Sequence, residues 1–144
     1  MVERLDNAGA SGSLHAVFAR LRELIRAHEA TFAVSDDLPE RYGLQAPVGP
    51  ATVRAWGGKV KTAHIPIAWV EMRKNYVSYH LIGIAGNAKL IAQLSQPLRA
   101  QMQGKTCFNF KAVDEALFQE LLAVTAESLR GLRAAGFIAA ESGA

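Results

Sequence analysis

Met102-Gln103-Gly104-Lys105-Thr106-Cys107-Phe108-Asn109-Phe110-Lys111 is the stretch on which the reading of this 144-residue chain turns. Its first residues predict the end of a short helix, stopped at Gly104. The rest predicts a strand over 105–110 in which Thr106, Phe108 and Phe110 face a core and Lys105, Cys107 and Asn109 face away. Gly104-Lys105-Thr106 resembles the end of a phosphate loop only superficially. Such a loop needs a glycine five positions earlier, where this chain has Arg99, and runs from strand to helix rather than from helix to strand.

Working outward, Ile65-Pro66-Ile67-Ala68-Trp69-Val70-Glu71-Met72-Arg73 and Tyr76-Val77-Ser78-Tyr79-His80-Leu81-Ile82-Gly83-Ile84 are β-rich runs joined by Lys74-Asn75, which predicts an antiparallel hairpin. Thr52–Trp56, Gly57-Gly58 and Lys59–Lys61 predict a second hairpin at a sheet edge. Alternation sets Val77, Tyr79, Leu81, Ala68, Val70 and Met72 toward the core. It leaves Ile67, Trp69, Glu71, Arg73, Tyr76, Ser78 and His80 on the other face. If the polar sets share that face, Trp69, Arg73, Tyr76, His80, Lys105 and Asn109 converge into a semi-polar ligand site with one aromatic wall.

Helices flank these strands. From Ser13, apolar residues at Leu14, Val17, Phe18, Leu21, Leu24 and Ile25 predict an amphipathic helix over 13–31, and Asp114 opens another to about Ala135, stopped by Gly136. Short helices are expected at 87–94 and 96–103. Residues 35–50, rich in Asp, Gly and Pro, read as a loop, and 1–12 and 138–144 as flexible tails around one domain over 13–137. The fold class expected is α+β, an antiparallel sheet packed against N-terminal and C-terminal helices.

Charge is uneven. The chain carries +3 overall, but residues 54–111 hold nine basic residues against Glu71, giving +8, between segments of −2 and −3. A basic middle invites an anionic small molecule or an acidic protein partner. Nucleic acid is a weaker candidate, since no expected helix is basic enough to read a groove. No apolar run approaches about 18 residues, and the N-terminus lacks an apolar signal core, so no membrane partner and a cytoplasmic location are expected. Cys107 is the only cysteine and excludes an internal disulfide.

Catalytic and metal-binding constellations are not evident. His15, His28, His64 and His80 lack partners at metal spacing, and Cys107 would meet His80 only if the strand register happened to align them. No catalytic residues, no metal ligands and no cofactor are therefore assigned, and a binding module is preferred over an enzyme.

Met72-Arg73-Lys74-Asn75-Tyr76-Val77-Ser78-Tyr79-His80-Leu81, Met102 to Phe110, and Asp114-Glu115-Ala116-Leu117-Phe118 together resemble the YdhG-like family of small bacterial domains of unknown function, over residues 40–135. The resemblance implies an α+β fold and little chemistry. Some members are described as frataxin-like iron chaperones, which implies iron as cargo on surface carboxylates. The clusters available for that part are Asp36, Asp37 and Glu40, and Asp114 with Glu115.

Overall fold

The computed structural model describes residues 9–140. Residues 1–8 and 141–144, placed in the expected tails, lie outside the described residues.

Two long helices supply one side of the core. α1 (Gly9–Arg26) buries Val17, Phe18, Leu21, Leu24 and Ile25 along one stripe, as the spacing predicts. It starts four residues before the expected Ser13, so 9–12 are helical, and it ends at Arg26 rather than 31, with 27–32 forming turns. α5 (Glu115–Ala134) is capped by Asp114, whose side chain accepts the Leu117 N–H at 3.2 Å, and it buries Phe118, Leu121, Val124, Leu129 and Leu132. Gly136, at φ 83°, turns the chain out of it.

The other side is one antiparallel sheet of six strands, β1 (Ala33–Leu38), β2 (Arg41–Pro47), β3 (His64–Met72), β4 (Val77–Leu81), β5 (Met102–Gln103) and β6 (Cys107–Phe110), in the order β1-β2-β3-β4-β6-β5. β3 (His64–Met72) and β4 (Val77–Leu81) form the expected central hairpin, pairing Met72 with Val77 and Trp69 with His80. Helix α1 lies on β2, β3 and β4, and α5 packs beside it. Tyr42, Leu44, Val70, Val77, Tyr79, Leu81 and Phe108 meet the helices completely or almost completely buried. An α+β architecture of helices against an antiparallel sheet is thus what the chain adopts.

Several local expectations are corrected. Residues 35–50 are not a loop: β1 (Ala33–Leu38) and β2 (Arg41–Pro47) occupy most of that stretch and extend the sheet. Their polar residues belong to an edge strand and its open face, and Gly43 sits in mid-strand because a Cβ there would fall 2.8 Å from the Cβ of Trp69 and 3.1 Å from Ser35 Oγ. Thr52–Ala55 is helical, in α2 (Pro50–Ala55) with Trp56 as its C-cap, and Pro50 supplies a first-turn φ and needs no N–H partner. Gly57 and Gly58, at φ 76° and 89°, end that helix instead of closing a hairpin.

The opening stretch is also rearranged. α4 spans only Gln96–Arg99, and Met102–Gln103 form a short strand, β5, that pairs with β6 (Cys107–Phe110) in the register Met102 to Phe108 and Gln103 to Cys107. Gly104, at φ 77°, lies between these two strands rather than ending a helix. The expected helix at 87–94 is present as α3 (Ala88–Gln93), capped by Asn87, and α3 and α4 both pack on α5.

Finally, residues 138–140 are not a tail. Ile138 is 1% exposed and bridges to Val48, and Ala139 donates its N–H to Pro47 O at 2.9 Å. Ile67, expected on the polar face, is completely buried. Leu44 pairs with Ala68 and Gln45 with Pro66, so Ile67 is the extra residue of a β-bulge, and the bulge breaks the alternation.

Candidate functional site

The face of the sheet turned away from α1 carries two rows of cross-strand neighbours. One runs Gly43, Trp69, His80, Cys107, Gln103, and the other Arg41, Glu71, Ser78, Asn109. Because Gly43 has no side chain, Trp69 is free to lie over its neighbours. Its indole stacks on the imidazole of His80, with ring centroids 4.5 Å apart, and the Arg41 guanidinium stands 5.7 Å from the indole on a cation–π contact.

Sequence reasoning left the meeting of His80 and Cys107 to chance of register, and the register brings them together. His80 Nε2 lies 3.7 Å from Cys107 Sγ and 3.2 Å from Ser78 Oγ, and the thiol donates to Asn109 Oδ1 at 3.3 Å. Burial pushes the His80 pKa below its ordinary value, and the nearby Arg41 and Arg73 push it the same way against the pull of Glu71. Burial raises the Cys107 thiol. Both shifts favour the neutral imidazole and thiol over a thiolate–imidazolium pair.

The expected positive charge of this face is largely cancelled. Arg41 binds Asp36 at 3.1 Å and Glu71 at 3.2 Å, and Arg73 binds the same Glu71 oxygen at 3.4 Å. The loop reading of their segment kept Asp36 and Arg41 from being placed on this face from the sequence.

The six residues expected to converge are instead strung along the strands. Trp69 and His80 are in contact, and Arg73 is linked to them through Glu71 and Arg41. Tyr76 and Asn109 line a cleft of about 500 Å³ at the Val77–Phe110 end of β4 and β6, with Gln101, Lys111 and Asp114. Lys105 belongs to the opposite end, beyond Cys107. The three residue steps from Cys107 to Phe110 alone span about 10 Å of strand.

At that opposite end Lys105 has a companion the sequence did not single out. Arg99, Lys105, Gly104, Met102, Ile91 and the Ala85–Gly86 turn line a second cleft, of about 470 Å³. Its walls are well fixed. Ser95 caps α4 by accepting the Leu98 N–H at 3.2 Å, and Ser95 is itself pinned by Glu120 of α5, which accepts its N–H at 2.8 Å and its hydroxyl at 2.6 Å. Neither Arg99 nor Lys105 takes part in an ion pair or side-chain hydrogen bond among the described residues. The signal that could have found Arg99 was its place three residues before β5, which the expectation of a longer helix hid.

Three of the five carboxylates implied for iron have other engagements. Asp36 is tied to Arg41, Asp114 caps α5, and Glu115 makes a bidentate pair with Arg20 at 2.6 and 2.7 Å that holds its carboxyl below the usual range. Asp37 is paired across the β1–β2 hairpin with Tyr42, and Glu40 sits in its turn. Among the described residues no three His, Cys, Asp or Glu side chains gather as a metal site, and no helix is long and apolar enough to cross a membrane.

Comparison of the chain with protein-family models, with curated proteins and with solved structures gives no match.

Proposed function

We propose that the protein is a non-enzymatic binding module for a small anionic molecule, held in the cleft between Arg99 and Lys105. The observation that carries this reading is the pair of cations facing one cleft with no carboxylate among its lining residues. Elsewhere on the open sheet face the cations are matched: Glu71 serves Arg41 and Arg73. A cation without a local counter-charge is where an anion gains most.

The cleft has the size of a small-ligand site and apolar lining from Ile91, Met102 and Ala85, which suits a phosphate monoester or a free carboxylate carrying a short apolar group. The Arg99 guanidinium offers a planar fork for two oxygens of the anion, and Lys105 offers a point charge. Trp69, Arg73, Tyr76, His80 and Asn109 are not needed for this binding.

A thermal-shift screen over inorganic phosphate, pyrophosphate, short-chain carboxylates and phosphate monoesters at low ionic strength tests it. An anion at ten times its Kd adds about 1.4 kcal/mol of stability, so at least one should raise the melting temperature of the wild type and of Arg73→Ala but not of Arg99→Ala or Lys105→Ala. A screen in which no anion distinguishes the wild type from Arg99→Ala overturns the reading.

A further inference from the structure

We propose that the cleft at the Val77–Phe110 end of β4 and β6 is a second binding site, for a neutral polyhydroxyl molecule of the size of a sugar ring. It shares no lining residue with the anion cleft and does not depend on it. Its volume of about 500 Å³ is that of a small-ligand site.

The polar lining is of one chemical kind. Gln101, Gln103 and Asn109 bring three carboxamides and Tyr76 a phenol, groups that each donate and accept hydrogen bonds. The register gathers them. Asn109 donates its backbone N–H to Gln101 O at 2.9 Å, and Gln103 pairs with Cys107, so alternation sets Gln101, Gln103 and Asn109 on the same open face. Tyr76 joins that face one residue before Val77, which pairs with Phe110.

These groups are largely unspent. The side chains of Tyr76, Gln101 and Gln103 make no hydrogen bond among the described residues, and Asn109 uses only its Oδ1, on the Cys107 thiol. Carboxamides left without partners in a cleft gain from a ligand that offers acceptors and donors side by side, as vicinal hydroxyls do.

Charge selects against an ion. Lys111 and Asp114 line the same cleft and contribute one charge of each sign, whereas the anion cleft holds cations alone. Val113, 39% exposed, and Leu117 add apolar surface beside the Tyr76 ring, on which the C–H face of a sugar can rest. Hydroxyls on a compact carbon skeleton satisfy both the polar and the apolar part of this lining.

Amide NMR of the full chain, with glucose, N-acetylglucosamine and myo-inositol as probes, tests the site. At least one probe should shift the carboxamide signals of Gln101, Gln103 and Asn109 and saturate at about 1–10 mM. Gln101→Ala and Gln103→Ala should each weaken that binding about fivefold, as expected for one lost hydrogen-bonding group. Neither side chain has a partner to lose, so signals far from the cleft should stay in place. Arg99→Ala should bind the probe like the wild type, and NaCl raised from about 50 to 500 mM should leave the midpoint unchanged. Three results overturn the proposal: no shift of these carboxamides by any probe at about 100 mM, a midpoint that both glutamine variants leave in place, or a stronger response to zwitterionic alanine than to all three probes.

Discussion

The indole of Trp69 lies flat against the imidazole of His80, the two ring planes within 9° of parallel. This contact is made between directly opposed residues of β3 and β4, and it organises the open face: it screens His80 on one side and reaches Arg41 on the other. Trp69→Ala removes the stack and most of the cover of that row. Loss of about 2 kcal/mol in urea unfolding is expected, less than for a fully buried Trp. The His80 pKa, followed by NMR, should rise toward the ordinary histidine value as its ring is rehydrated.

Acid should weaken the fold through the same ring. His80 and His28 both have pKa values lowered by burial, so the unfolded chain takes up protons first as pH falls below about 6.5. Stability is then lost from that pH downward until the folded-state histidines also titrate. Urea midpoints of His80→Gln should fall less than those of the wild type between pH 7 and 5. This window lies above the one in which the pairs of Glu115 and Glu127, both held below the usual carboxylate range, are lost. Equal falls for the two proteins would contradict the assignment to His80.

Two buried hydroxyls give an asymmetric pair. Tyr79 and Thr125 share a 2.6 Å hydrogen bond in the core, and Thr125 donates on to Leu121 O at 2.8 Å. Tyr79→Phe leaves Thr125 a partner and should cost about 1 kcal/mol. Thr125→Ala leaves the Tyr79 hydroxyl buried without one and should cost about 2–3 kcal/mol. Chemical denaturation of both variants checks the order.

Close backbone approach makes a fourth test. A Cβ on Gly83 would stand 2.4 Å from Ser128 O on α5, whereas one on Gly131 would meet only the side-chain nitrogen of Asn87 at 3.3 Å. Gly83→Ala must push the Ile82–Ile84 turn off α5 and should destabilise by about 2 kcal/mol or more. Gly131→Ala, in a helix interior where alanine is the better former, should be neutral or stabilising.

How much of this was readable in the sequence depended on whether the signal was local. The stripe of α1, the Asp114 cap and the Trp69–Arg73 to Tyr76–Leu81 hairpin are set by spacing and short-range chemistry, and they stand as expected. β1 and β2 were hidden because an edge strand with one wet face is nearly as polar as a loop, and because Gly43 is explained only by Trp69 across the sheet. Gly104 marked a turn correctly, but which elements it joined rested on a two-residue strand that no periodicity can show.

The candidate sites divide in the same way. Face parity placed Trp69, His80 and Asn109 together correctly, since it follows from alternation alone. Parity says nothing about position along a strand, so Tyr76 and Lys105 were joined in expectation though they belong to opposite ends. The contact of Cys107 with His80 required the register itself.

The anion cleft is tested most directly by where the ligand binds. Amide and side-chain NMR shifts, followed as the most stabilising anion of the screen is added to the full chain, should move at Gly86, Arg99, Gly104 and Lys105 and stay still at Trp69, Arg73 and His80. Shifts centred on Arg73 and Trp69, with Arg99 and Lys105 unmoved, would contradict the assignment of the cleft.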